Sequence, residues 1–226
     1  MISVKIISKK YNRKEVLKDI SVNFEQGKAY GIVGENGTGK TTFFKCITGL
    51  EKYDGTITAA LSPLKNHLGY LATESYYFDK ITGLEYLRLL TNARNIEIDN
   101  FQDKNIFGLP LQEYVSSYST GMKKKLALTA ILLQNNHYFI LDEPFNGVDI
   151  QSNLIITDII KELKKLNKII LISSHIFSTL KDTCDEILVL QNGKLNLRVT
   201  VSDFDQLEKE LRHSRIGNLI EKLELK

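Results

Sequence analysis

An α/β fold with a mostly parallel sheet is predicted by three features of this 226-residue chain. Short, nearly continuous apolar runs recur at Ala29 to Val33, Tyr138 to Leu141, Lys168 to Ile172 and Ile187 to Leu190. Such runs are the habit of parallel strands covered by helices on both faces. Stretches with helical spacing, Met122 to Leu133 and Ser152 to Leu166, lie between them. A glycine-rich segment, Gly34 to Gly39, joins the first run to a helix-like stretch, Thr42 to Ile47.

The elements follow in order. Ile20, Val22 and Phe24 alternate with polar residues, the pattern of a half-buried strand in a β-rich, antiparallel N-terminal portion. Gly27-Lys28 turns the chain into the first buried run. Residues Thr82 to Ser117 differ in character: Leu84, Leu87, Arg88 and Thr91 share a helical stretch, and Gly108-Leu109-Pro110 breaks it. This segment reads as a short helical lobe inserted into the core. Asn192-Gly193 after the last apolar run is a hairpin turn signal. Asp203 to Lys226 is charged and helix-like. The expected organisation is one domain over residues 1–226: a core with its β portion (1–72 and 119–202), a helical subdomain (73–118) and a helical tail (203–226).

Composition narrows the function classes. Hydrophobic residues make up 42% and charged residues 25%, as in an ordinary globular protein. No apolar run approaches the about 20 residues that a membrane-spanning helix needs. Lys plus Arg is 30 against 27 for Asp plus Glu, a net charge of +3 that gives no case for nucleic acid. Cys46 and Cys184 stand far apart, in no metal or disulfide pattern, and a reducing cytoplasm is the expected compartment. The N-terminus meets charge too early for a signal-peptide core.

Gly34-Glu35-Asn36-Gly37-Thr38-Gly39-Lys40-Thr41 fits G-x-x-x-x-G-K-[ST] between a strand and a helix, the context that identifies a P-loop. Glycines let backbone amides curl round phosphate oxygens, and the helix N-terminus adds partial positive charge. Lys40 is placed to reach the β- and γ-phosphates, and the Thr41 hydroxyl to ligate Mg²⁺. The run Tyr138 to Leu141 ends in Asp142-Glu143, at the strand edge where ligands bind in open parallel sheets. Asp142 is placed to hold Mg²⁺, and Glu143 to take a proton from an attacking water.

With these motifs in order, the chain resembles the ATP-binding-cassette (ABC) ATPase family over nearly its whole length. Tyr118-Ser119-Thr120-Gly121-Met122 is similar to the family signature, Leu-Ser-Gly-Gly-Gln, just upstream of the acidic strand. Asn146-Gly147-Val148-Asp149 resembles the D-loop, and His175 after Ser173-Ser174 resembles the switch histidine. Tyr11 sits where the family keeps an adenine-stacking aromatic. The resemblance implies ATP contacts from Tyr11, Gly34, Asn36, Gly37, Thr38, Gly39, Lys40, Thr41 and Thr42. It implies further contacts from Ser119, Gly121 and Asp149 across a head-to-tail dimer, and catalytic roles for Lys40, Glu143 and His175.

Some positions depart from the family pattern. Thr73 stands where the family has a metal-sensing Gln; it keeps an oxygen for Mg²⁺ with a shorter reach, and Glu74 is adjacent. The Ser-x-Gly-Met signature looks like that of bacterial exporter-type subunits. The partners implied are a transmembrane permease subunit and a second nucleotide-binding subunit, identical or different, with the chain peripheral on the inner face of the cell membrane. Two other readings compete: an ABC ATPase serving a non-transport machine such as cluster assembly, and a weakly hydrolysing regulator. Lys123-Lys124-Lys125 reads as a solvated helix face rather than as support for the phosphate field. Tyr76-Tyr77-Phe78 reads as core or as interface anchors.

Overall fold

The computed structural model describes residues 1–210; the greater part of the expected tail, residues 211–226, lies outside the described residues. Strands β1 (Ile2–Tyr11) and β2 (Lys14–Phe24) form an antiparallel hairpin. Next, β3 (Ala29–Val33) runs through the glycine-rich loop into α1 (Lys40–Ile47), and β4 (Asp54–Ala59) returns to pair with β1. The remaining elements are β5 (Leu68–Leu71), α2 (Gly83–Asn92), α3 (Thr120–Leu133), β6 (Tyr138–Asp142), α4 (Ile150–Lys165), β7 (Ile169–Ser173), α5 (Phe177–Thr183), β8 (Glu186–Gln191) and β9 (Lys194–Thr200). Residues 204–210 are helical.

Two sheets result. The small one is antiparallel, in the order β2-β1-β4. The large one has the order β5-β6-β7-β3-β8-β9; every pairing is parallel except the β8–β9 hairpin. Asn192 and Gly193 close that hairpin with φ of 51° and 76°, the left-handed pair that a tight two-residue turn requires. All residues of β3, β6 and β7 are buried, as their uninterrupted apolar character predicts.

The core divides by faces. Phe43 and Phe44 of α1 are fully buried between the two sheets, among Ile2, Val4, Ile20, Phe24 and Tyr138. Burying such a side chain contributes about 1.5–3 kcal/mol. On the other face, Ile156, Ile160 and Leu163 of α4 pack with Ile170, Ile172 and Phe139. A third cluster (Tyr86, Leu87, Phe101, Leu111 and Val115) closes the lobe against Leu126 and Ala130 of α3. Within the lobe α2 is capped reciprocally: Glu85 N–H donates to Thr82 Oγ1 at 3.2 Å, and Thr82 N–H donates to Glu85 Oε2 at 2.8 Å.

Two expectations change. The Lys123-Lys124-Lys125 run is not a solvated face: Lys124 is only 6% exposed, and Lys125 pairs with Asp149 at 3.1 Å. Tyr76-Tyr77-Phe78 splits. Tyr76 and Phe78 are exposed and meet edge to face, whereas Tyr77 packs on Tyr86 and donates its hydroxyl to the Lys123 carbonyl at 2.5 Å. Alternation along the turn-containing segment explains the split, since its middle residue faces the lobe core.

Because β3, β5, β6 and β7 are parallel, their C-terminal ends share one edge. The glycine-rich loop, Thr73, Asp142-Glu143 and Ser173 to His175 all leave the sheet there.

Candidate active site

The loop after β3 places Lys40 first in α1. Lys40 is 8% exposed, and its Nζ donates to the carbonyls of Gly34 at 2.8 Å and Glu35 at 3.0 Å. The ammonium therefore spans the mouth of the loop. Thr38 Oγ1 donates to the Glu35 carbonyl at 2.9 Å and tightens the same turn. Gly39 has φ 107°, and a Cβ there would meet the Leu17 side chain at 2.9 Å. The first amides of α1 have no intrahelical acceptors, so loop and helix together offer an anion site.

The register of β6 and β7 sets Asp142 opposite Ser173. Ser173 Oγ donates to Asp142 Oδ1 at 2.5 Å, and Thr41 Oγ1 donates to Oδ2 at 2.8 Å. A carboxylate and a hydroxyl converging at the loop mouth make an all-oxygen donor pair, the chemistry that suits a hard cation such as Mg²⁺.

Glu143 follows with φ 54°, a left-handed conformation uncommon outside glycine. Its N–H donates to Ser173 Oγ at 3.0 Å, and its carbonyl accepts from Lys124 Nζ at 2.6 Å. Its Oε2 accepts from the His175 N–H at 3.2 Å. Its Oε1 lies 3.0 Å from His175 Nε2 but is buried without an aligned hydrogen-bond donor among the described residues. That oxygen has acceptor capacity left for a water. Burial lowers the Lys124 pKa, while the charges of Glu143 and Asp142 oppose the drop.

A cleft of about 570 Å³ opens over these groups. It brings together Tyr11, Asn36, Gly37, Gly39, Lys40, Thr41, Thr42, Thr73, Asp142, Glu143 and His175, joined by Lys14 and Val16. Gly34 and Thr38 shape the loop beneath it. Tyr11 is held at the rim by Lys9, whose Nζ lies 4.3 Å from the ring centroid and 2.8 Å from Glu51 Oε2. The sequence does not mark Ser173, Lys124 or Lys9 for these contacts; Ser173 and Lys124 stand in it only within the Ser-Ser-His segment and the three-lysine run. Only Ser173 carried a signal, as a polar residue closing an apolar strand beside the acidic one.

Ser119, Gly121 and Asp149 do not line this cleft. Ser119 caps α3, accepting from the Met122 N–H at 3.2 Å, so the helix begins at Thr120 rather than Met122. Gly121 packs where a Cβ would lie 2.5 Å from the Gly147 carbonyl. Asp149 caps α4; the Ser152 N–H at 2.8 Å, the Ser152 hydroxyl and Lys125 hold its carboxyl well below the usual range. These residues form a second set joining the starts of α3 and α4, with Ser119 and Asp149 exposed and Gly121 partly buried against Gly147.

A glycine-rich anion loop beside an oxygen ligand pair, at the C-terminal edge of a parallel sheet, defines a P-loop nucleoside-triphosphate-binding protein. The family model described as ABC transporter matches residues 17–146. The ABC transporter ATP-binding protein NatA of Bacillus subtilis is 31% identical over 229 residues, spanning 92% of this chain and 93% of NatA. The ABC-type transporter ATP-binding protein EcsA of the same organism is 28% identical over 90% of this chain and 88% of its own length. A solved structure of the ATP-binding subunit of an ABC transporter superposes with TM-score 0.79 at 26% identity, covering 98% of each chain. The post-hydrolysis dimer of the ATP-binding cassette MJ0796 with ADP and Pi has the same fold, with TM-score 0.78 at 16% identity over 89% of this chain and 99% of that one. The chain belongs to the ABC transporter ATP-binding family and is an ATPase of that family.

Proposed function

We propose that this chain is the ATP-hydrolysing subunit of an ABC transporter, closing head to tail with a second nucleotide-binding subunit around two ATP molecules to drive a separate transmembrane permease. One observation carries the reading: Lys40, Thr41, Asp142, Glu143 and His175 share a cleft, while Ser119, Gly121 and Asp149 stand outside it at the starts of α3 and α4, with Ser119 and Asp149 exposed and Gly121 partly so. A cleft of that kind is completed by the signature residues of a second subunit.

In this mechanism Lys40 and the loop amides hold the β- and γ-phosphates, and Tyr11 stacks on adenine. Thr41 and Asp142 would hold Mg²⁺, with Thr73 on the same cleft wall, and the ion would supply charge neutralisation at the phosphates. Glu143 Oε1 accepts a proton as the water oxygen attacks the γ-phosphorus and the bond to the β-phosphate bridging oxygen breaks. His175, already beside Glu143, orients that water. Loss of the γ-phosphate removes the anchor for the opposing Ser119 and Gly121, and the pair reopens.

The exposed aromatics Tyr76 and Phe78 support a docking face on the 73–118 lobe for the permease. No helix among the described residues is long and apolar enough to cross a membrane, so membrane coupling is assigned to that partner, at the inner face of the cell membrane. An export direction rests on the Ser-x-Gly-Met form of the signature. The division into core (1–72 and 119–202), lobe and tail belongs to the same reading.

Pairing is tested by cross-linking. Asn36→Cys places a thiol at the cleft and Ser119→Cys one at the signature; the native Cys46 and Cys184 are buried and stay out of reach. With ATP and a short bismaleimide, the doubly substituted chain is expected to give a covalent dimer that neither single variant gives. A dimer formed equally without ATP, or none, contradicts head-to-tail self-pairing.

A further inference from the structure

Lys124 has no place in the phosphate chemistry, yet it is one of the few buried cations among the described residues. It lies at the start of the second turn of α3, five residues after the helix-capping Ser119, and is 6% exposed. Among the described residues its ammonium meets no carboxylate oxygen at salt-bridge distance. It donates at 2.6 Å to the backbone carbonyl of Glu143. A buried lysine is costly unless its ammonium is well bonded. This one is spent on the main chain of one residue.

That residue has the φ of 54° noted above. A left-handed conformation at a non-glycine position persists only where its surroundings over-determine it. Here two contacts hold the two peptide units that flank the Glu143 Cα. The Glu143 N–H is fixed by Ser173 Oγ at 3.0 Å. The carbonyl is fixed by Lys124; the turn bond it also accepts from the Asn146 N–H is longer, at 3.3 Å. With both flanking peptide units pinned, the side chain is aimed so that Oε2 meets the His175 N–H and Oε1 keeps its acceptor capacity.

The flanking residues extend the link. The Lys123 carbonyl accepts from Tyr77 of the lobe at 2.5 Å, and Lys125 pairs with Asp149 at 3.1 Å. Three successive residues of α3 thus tie the lobe, the catalytic strand end and the start of α4 together.

We propose that Lys124 is a positioning residue for Glu143: it holds the strained peptide that aims the carboxylate, and so makes the orientation of the base depend on the seating of the signature helix. The inference rests on the reading of Glu143 as the base.

The test uses the full chain. Lys124→Met keeps the length and apolar stem and removes the donor. It is expected to lower kcat at least about tenfold while ATP affinity changes less than about twofold. In the nucleotide-free protein, deuterium uptake should rise at residues 142–146 and stay level in β7. In a Glu143→Gln background the same substitution should change the residual single-turnover rate less than about twofold, because residues acting through one group are not additive. Should Lys124→Met not fold, Lys124→Gln keeps an amide donor; a smaller kcat loss with the same pattern is expected there. An unchanged kcat, or an equal loss with and without Glu143, overturns the proposal. If Glu143→Gln alone turns over like the parent, the assignment of the base is what fails.

Discussion

Replacing Glu143 by Gln is expected to cut ATP turnover about 10²- to 10⁴-fold, the range for loss of a positioned general base, while ATP still binds. The substitution is nearly isosteric, so the contact with the His175 N–H survives at whichever atom remains an oxygen. What is lost is the charged acceptor at Oε1, the buried oxygen left without an aligned donor. Because Lys40, Thr41 and Asp142 are untouched, nucleotide affinity should change little. With hydrolysis blocked and binding intact, the closed pair accumulates. Gel filtration with and without ATP should therefore show an ATP-dependent dimer in the variant that the parent chain holds only transiently. Parent-like turnover would remove Glu143 from the role of base.

Lys40→Ala should weaken ATP binding about 100-fold, or about 2.8 kcal/mol at 1.4 kcal/mol per tenfold change. Two losses combine. The ammonium no longer meets the phosphates, and the Gly34 and Glu35 carbonyls lose the donor that sets the loop at 2.8 and 3.0 Å. Calorimetric titration with ATP and with adenosine separates them from any effect at the base. Adenosine contacts the Tyr11 end of the cleft, so its weaker binding should be little changed. An equal loss for both ligands would mean that the substitution disrupts the whole cleft.

The parts of this architecture that were legible in the sequence are those written in local pattern. The strands β3, β6, β7 and β8 announce themselves because burial on both faces demands unbroken apolar runs. The glycine-rich loop is legible because its backbone geometry admits few other residues. Less legible is the second half of β1: Ile2, Val4 and Ile6 alternate toward the core, but the apolar pattern stops there and Ser8, Lys9 and Lys10 carry the strand on. Its partner β4, Asp54 to Ala59, is a polar edge strand with little apolar signal. Both owe their form to pairing across the sheet.

Lys124 was the least legible. In a run of three lysines, helical periodicity does not say which one turns inward. Its burial follows from α3 crossing the end of β6, a tertiary fact. The site residues Lys40, Asp142 and Glu143 could be read because loop and strand each carry a motif, whereas the grip of Ser173 and Lys124 on Glu143 appears only when separate elements meet.

The central claim, that this ATPase works on a separate transmembrane subunit, is tested most directly by purifying the chain from its native cells in mild detergent with ATP and identifying what accompanies it. A stoichiometric polytopic membrane protein is expected, lost when Tyr76 and Phe78 are both replaced by Ser. A water-soluble partner in its place, with the chain absent from the membrane fraction, would contradict the transporter assignment and favour an ABC ATPase serving another machine.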